Sequence, residues 1–216
     1  MTALVRYVLA HVGLSQRYLP PTLVLLAVLA MLYTGDAGPA LPAYVLTAGL
    51  LVPVTAWFTI AARGVETPEQ RAVTQVTAGG PVRVLVAETA ACLLYTAAVT
   101  AISLLWPQVA HGRASLAEFG AGAVAHLTCG VVGVAVGLLC GRPLVSRVGT
   151  ASLVGCALVL LALLGEWVSP VPATLRLLGT NTATDRPTVL IGLTVVAVAM
   201  LAAASAVVLV LGRRRE

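Results

Sequence analysis

Residues 116–140 read LAEFGAGAVAHLTCGVVGVAVGLLC, and this stretch decides the class of fold. It contains one charged side chain, that of Glu118 near its beginning. A helix of about 20 mostly apolar residues is long enough to cross the hydrocarbon core of a bilayer. The run therefore predicts a transmembrane helix rather than a helix with one face in water.

Similar apolar runs lie on both sides of this stretch. Four further runs are long enough for a membrane helix, and a sixth is weaker because its purely apolar part, residues 22–32, is short. Tyr18 and Tyr33 flank the weaker run, as aromatic residues do at membrane interfaces. A signal peptide is the alternative for this segment, but it would be unusually long. We therefore count six spans, at about 18–34, 42–62, 84–106, 116–140, 148–168 and 188–211.

The composition of the whole chain supports a membrane protein. Hydrophobic residues make up 59% of the 216 residues and charged residues only 10%. Soluble domains carry roughly 25% charged residues, so this chain has too little polar surface to cover a water-facing globule. The expected fold is all-α and polytopic: a single transmembrane domain over residues 1–216.

The basic residues are distributed unevenly between the predicted loops. All 13 are arginine, and the alternation of six spans with both termini in the cytoplasm places ten of them on the cytoplasmic side. Such an excess is what the positive-inside rule predicts. We expect a multi-pass protein of the cytoplasmic membrane, and the use of arginine alone suggests a bacterium with a GC-rich genome. The three arginines on the outer side are Arg113, Arg176 and Arg186.

The absence of lysine excludes several kinds of chemistry on this chain. A nucleotide-binding P-loop, a Schiff base and a Ser-x-x-Lys nucleophile all require lysine. The sequence also lacks H-E-x-x-H, G-x-S-x-G and any C-x-x-C pair. We therefore expect no enzyme activity, no catalytic residues, no metal site and no cofactor here. The four cysteines lie inside apolar runs and are interpreted as small apolar fillers without a disulfide: Cys92, Cys129, Cys140 and Cys156.

Residues 3–17 are predicted to form an amphipathic helix before the first span. Five apolar residues fall within one arc of about 140°, and Arg6 and Arg17 lie on the opposite side. A helix of this kind lies in the membrane interface. A general membrane anchor and a more specific role are both open for it. The apolar residues are Leu4, Val5, Val8, Leu9 and Val12.

The loop from residue 63 to residue 83 contains clear signals for the start and the end of a helix. Thr67 and Gln70 form a T-x-x-Q capping box, Pro68 suits the first helical position, and Gly79-Gly80-Pro81 ends the helix. The predicted helix spans residues 67–78, and its apolar face needs a cover, either lipid headgroups or a partner protein. The candidate partner-binding residues are Thr67, Glu69, Gln70, Arg71, Val73 and Val76.

Few ionisable residues lie at membrane depth. His126 is near the middle of the fourth span, and we expect it to be neutral and bonded to a neighbouring helix rather than to relay protons. Glu88 lies one turn inside the third span and is expected to pair with Arg83 or another nearby arginine. The outer loop 169–187 is long, and its residues 173–178 are expected to form one or two apolar turns that dip into the outer leaflet.

Glycines in the fourth span predict a close helix contact. Gly133, Gly137 and Gly141 form two overlapping G-x-x-x-G steps, which allow a second helix to approach closely. Packing within the chain is the favoured interpretation, and a contact between subunits is the alternative.

The order of these parts resembles the permease subunits of type-2 ABC exporters. The likeness covers the whole chain as architecture and is concentrated in VETPEQR at residues 65–71 and AGGPVRVL at residues 78–85. The family has a short helix there, followed by a turn of small residues, an arginine and the next span. The resemblance implies that the helix at 67–78 is a coupling helix that docks on a separate ATPase, which carries the ATP and magnesium.

The resemblance also implies an exporter of hydrophobic or amphiphilic substrates such as drugs, peptides or lipids. Its partners would be two ATPase subunits and a second permease copy or a homologous permease; no nucleic acid is expected. The second and fifth spans would line the substrate pathway, with Thr55, Trp57, Phe58 and Thr59 as candidates. The alternatives are a membrane immunity or assembly factor that does not transport, and a secondary carrier.

Overall fold

The computed structural model describes residues 1–34, 40–111, 114–141 and 148–213. The regular secondary structure of this part of the chain consists of helices, with no strand. The arginines at positions 113, 142, 147, 214 and 215, which entered the charge count above, lie outside it. The helices are α1 (Thr2–Ser15), α2 (Leu19–Leu32), α3 (Ala40–Arg63), α4 (Pro68–Ala78), α5 (Pro81–His111), α6 (Leu116–Cys140), α7 (Val148–Leu164), α8 (Val171–Gly179) and α9 (Pro187–Arg213).

Within the described part of the chain four helices are long and apolar enough to cross a membrane: α3, α5, α6 and α9. A fifth span results if α1 and α2, which meet at a bend of 75°, count as one. The six-span prediction treated α2 and α7 as full spans. They have 14 and 17 residues, so at 1.5 Å per residue they reach only about 21 and 25 Å of the ~30 Å hydrocarbon core. Four to five spans are consistent with a multi-pass membrane protein.

The ends of the helices have local causes. α1 stops at Gln16, which takes a left-handed conformation with φ 56°. α6 begins at a second capping box. In it the Glu118 N–H donates to Ser115 Oγ at 3.3 Å, and the Ser115 N–H donates to Glu118 Oε2 at 2.8 Å. The predicted run 116–140 coincides with α6, whereas the run predicted at 84–106 is shorter than α5 at both ends.

The centre of the bundle is the contact between α3 and α6, the most extensive helix pair in the described part of the chain. A Cβ atom added to Gly133 would overlap Thr55 Oγ1, and one added to Gly137 would overlap Thr59 Cβ. Only glycine therefore permits this approach of the two backbones. The G-x-x-x-G steps at these two residues pack within the chain, as the favoured interpretation predicted.

Helix α8 lies against the bundle and fulfils the expectation of apolar turns in the outer loop. Val171, Thr174 and Leu178 are buried on it, and it contacts α3, α6 and α7. The Leu175 side chain passes 3.5 Å from the position of a Cβ on Gly49. This helix covers one end of the central pair.

Candidate interaction surface on helix α4

Helix α4 has the boundaries that the sequence predicted. The Gln70 N–H donates to Thr67 Oγ1 at 3.3 Å, and the Thr67 N–H donates to Gln70 Oε1 at 3.0 Å, which completes the capping box. At the other end Gly79 adopts a left-handed conformation with φ 79°, and the Gly80 N–H reaches the Gln75 carbonyl at 2.8 Å. Both ends are thus fixed by residues of the helix and its flanks.

The outer face of α4 is apolar and uncovered. Val73 is 64% exposed and Val76 is 81% exposed, and no residue of the helix is buried. Glu69 and Gln70 are exposed at the start of the same face. The result is a small apolar patch with a polar margin, which we call the valine patch and define as Ala72, Val73 and Val76.

The inner face of α4 is held by an ionic cluster. Arg71 Nη1 lies 2.9 Å from Glu88 Oε1, and Arg71 Nη2 donates to Glu88 Oε2 at 3.2 Å. Arg63 Nη1 donates to Glu88 Oε2 at 2.9 Å. The cluster therefore joins α4 to the end of α3 and to the second turn of α5.

Burial makes this cluster energetically important. The Arg63 side chain is fully buried, and those of Glu88 and Arg71 are 10% and 16% exposed. A buried charge is tolerated when it is paired and hydrogen-bonded, and both oxygens of Glu88 are used here. Glu88 pairs with arginine as predicted, but the named candidate Arg83 was wrong: its Nη1 donates to the Ala78 carbonyl at 3.3 Å.

A second polar network ties α1 to the same region. The Tyr7 hydroxyl donates to Glu66 Oε1 at 3.0 Å, and the Thr74 hydroxyl donates to the same oxygen at 3.0 Å. Val12 of α1 is buried and α1 packs on α5. A cavity of only about 20 Å³ remains between these groups and the ionic cluster. α1 therefore contacts protein as well as having a face suited to the membrane interface.

Three residues of this region were not predicted from the sequence: Arg63, Glu66 and Tyr7. Arg63 carried a detectable signal, because a carboxylate one turn inside a span needs a cation and Arg63 ends the neighbouring span. Tyr7 and Glu66 are 59 positions apart, and no spacing pattern links them. Arg71 was a candidate partner-binding residue, and the structure places its guanidinium on Glu88 of the same chain.

The four candidate residues of a substrate pathway have different surroundings. Thr55 donates to the Gly130 carbonyl at 3.0 Å, and Thr59 donates to the Thr55 carbonyl at 2.7 Å; both are fully buried. Phe58 is buried and stacks on Tyr95 with ring centroids 3.7 Å apart. Trp57 is 48% exposed and lines an open groove. Of the four, Trp57 is the side chain that a molecule outside the bundle would meet.

His126 is bonded to a neighbouring helix, as predicted. It is fully buried, its Nδ1 lies 2.7 Å from the Gly122 carbonyl, and its Nε2 lies 2.9 Å from Thr47 Oγ1 on α3. A carbonyl oxygen only accepts, so Nδ1 carries the hydrogen, and Nε2 of a neutral ring accepts from the threonine. The histidine thus cross-links α6 and α3.

The remaining chemistry-bearing residues are dispersed. Within the described ranges no three side chains of the metal-ligating types come together. All four cysteines are free; three are buried and fit the interpretation as small apolar fillers, whereas Cys156 is exposed on α7 and fills no buried gap. Comparisons with family models, with curated proteins and with solved structures find no match for this chain.

Proposed function

We propose that the chain is the membrane-spanning permease subunit of an ATP-driven exporter, with ATP hydrolysis on a separate subunit. The observation that supports this best is the division of α4 into two faces. Its valine patch is uncovered, while its opposite side is fixed to α3 and α5 through Arg71 and Glu88. A capped helix that is anchored on one side and apolar on the other suits docking of a partner protein.

The proposal explains why the anchor is ionic and buried. When a partner moves the valine patch, the movement is transmitted from Arg71 to Glu88 and then to Arg63. This follows because the one carboxylate of Glu88 binds both guanidinium groups. Two transmembrane helices, α3 and α5, thus respond to one contact. In this arrangement the partner ATPase binds ATP and magnesium, and the permease needs no lysine of its own.

The wider assignment follows the resemblance noted above. The assembly would contain two ATPase subunits and two permeases, either two copies of this chain or this chain with a homologue. It would cross the cytoplasmic membrane with six spans and both termini inside, with α2 and α7 as short spans that the bilayer accommodates by local thinning. It would alternate access to a hydrophobic or amphiphilic substrate. The apolar character of α3 and α7 supports such a substrate over an ion or a sugar.

The decisive experiment is a charge placed in the valine patch. Val73→Asp should leave expression and helix packing unchanged, because the Val73 side chain is exposed, yet it should abolish retention of the ATPase on purification in mild detergent. Val73→Thr keeps the branched shape without a charge and is the matched control. It should retain the ATPase nearly as well as the wild type.

Other results would contradict the proposal in distinguishable ways. If Val73→Asp retains the ATPase with unchanged substrate-stimulated hydrolysis, the valine patch rests on lipid and α4 is not the coupling element. If the wild type brings down a protein without a P-loop, the chain is an immunity or assembly factor. If transport proceeds without any partner and is lost in His126→Ala, the chain is a secondary carrier.

A further inference from the structure

An apolar groove runs along the bundle between α2, α3 and α7. It has a volume of about 620 Å³, within the range of sites that hold small molecules. Residues of α3 that lie one helical turn apart, Pro53, Trp57 and Ile60, form one wall. Residues of α7 form the other, including Ser152, Cys156 and Val159.

One end of the groove carries a positive charge. Arg17 lies there together with Gly64, Gly141 and Ala151. Arg17 is exposed, and its Nη1 donates to the Gly64 carbonyl at 2.7 Å. This bond uses one of the five guanidinium N–H groups and fixes the direction of the side chain. Among the described residues that line the groove, Arg17 is the charged one, and no carboxylate is present to neutralise it.

The position of Arg17 corresponds to the depth of lipid headgroups. It lies at the bend of 75° where α1 gives way to α2. α1 has the pattern of an interfacial helix and α2 is apolar except for Thr22, so their junction lies where the headgroups meet the acyl chains. A guanidinium at this depth binds phosphate through paired, charge-assisted hydrogen bonds.

We propose that this groove is a binding site for one anionic phospholipid. Its phosphate lies on Arg17, and one acyl chain lies along Trp57 and Ile60 toward Pro53. The charge of Arg17 argues against a second copy of the chain as the occupant. A two-fold contact centred on the groove would bring two identical guanidinium groups together without a counter-ion. Its walls, α3 and α7, are the helices assigned above to the substrate pathway, but the binding of a lipid here requires neither an ATPase nor transport.

The first test measures lipid preference directly. The purified full-length chain in mild detergent receives equal amounts of phosphatidylglycerol and phosphatidylcholine with identical acyl chains, and the bound lipid is counted by native mass spectrometry. We expect one tightly bound phosphatidylglycerol, preferred by roughly fivefold to tenfold, because a single arginine at the membrane surface contributes on that order.

Variants of two exposed arginines then locate the site. Arg17→Gln should remove the preference for phosphatidylglycerol. Arg83→Gln should keep it, because Arg83 also donates to a backbone carbonyl but lies outside the groove. Equal binding of both lipids by the wild type, or an unchanged preference in Arg17→Gln, would overturn the proposal.

Cys156 provides a second readout in the unmodified chain. It lines the groove and is the one exposed cysteine of the four, while the other three are buried. Phosphatidylglycerol should slow its reaction with N-ethylmaleimide several-fold more than phosphatidylcholine does. Equal protection by the two lipids would indicate a non-specific acyl layer. Slow reaction in the absence of both lipids, together with a dimeric mass, would indicate a second copy in the groove. Either result would contradict the proposal, even if Arg17→Gln fails to fold.

Discussion

Helices α4 and α8 are two short helices between longer ones, and they differ in the burial of their apolar faces. Both have a proline in the first turn and both end at small residues. α8 buries Val171, Thr174 and Leu178 against the bundle, whereas α4 buries no residue. The difference shows that an apolar face on a short helix is not by itself a packing signal. α8 is held by its apolar side chains and α4 by its charges.

The ion pairs of the two helices also differ in burial, but here the pair at α4 is the buried one. The Arg176–Glu166 pair beside α8 is 2.9 Å long, but its side chains are 60% and 58% exposed. The pairs that anchor α4 have the same length, yet Arg63 within them is fully buried. The two ion pairs therefore differ in interaction energy despite their equal lengths, because water screens the first pair and is excluded from the second.

The largest effect should come from the anchor of α4. Glu88→Gln removes the carboxylate that pairs with the buried Arg63, and we expect it to destabilise the chain by roughly 4 kcal/mol. This corresponds to a fall of roughly 10 °C in the melting temperature in detergent. The double variant Glu88→Gln with Arg63→Met removes both buried charges and should recover most of the loss. Failure of this rescue would mean that the cluster does not act as a charge pair.

A buried residue of α8 should come next. Leu178→Ala creates a cavity under a helix that is held by apolar packing, and we expect a cost of roughly 3 kcal/mol. Val76→Ala on α4 is the matched truncation at an exposed position and should change the melting temperature by less than about 2 °C. Similar losses in the two variants would remove the contrast between the helices.

The cap of α4 is expected to have a smaller and local effect. Thr67→Ala removes the bond to the Gln70 N–H and should cost about 1 kcal/mol. We expect roughly fivefold faster hydrogen exchange across α4 without a change in the bundle. Ser115→Ala, which removes the equivalent cap of α6, should speed exchange only in the first turn of that helix. Exchange spread over α3 and α5 would mean that α4 folds together with them.

The smallest effect should come from the exposed pair beside α8. Glu166→Gln should change stability by less than about 1 kcal/mol, and the difference should shrink further in high salt. Melting curves at two salt concentrations test this. A loss as large as that of Glu88→Gln would show that exposure is a poor guide to the value of ion pairs in this molecule.

Much of the fold could be predicted from sequence because apolar length is a direct physical requirement of the bilayer. The runs 42–62 and 116–140 were located to within two residues of α3 and α6. Two predicted spans, 18–34 and 148–168, are longer than the helices α2 and α7 that lie there. Hydropathy also counts apolar residues outside the helices, such as Trp167 and Val168, so it overestimated the helix lengths.

The candidate site was predictable only where it is local. The capping box of Thr67 and Gln70 is encoded within four positions and was found. The cluster of Arg63, Arg71 and Glu88 depends on three helices meeting at one point, which no local pattern encodes. The direction of Arg71 was missed for the same reason, since a helix pattern does not show which charged face turns toward the protein.

The close approach of α6 to α3 also implies an order of assembly during synthesis. The chain leaves the ribosome N-terminus first, so Gly133 and Gly137 meet Thr55 and Thr59 before α9 has been made. α9 is the most apolar of the long helices, and only 22% of an apolar stretch of 18 residues within it is buried. It therefore partitions into the bilayer as an independent helix and joins a frame that the preceding helices have already formed.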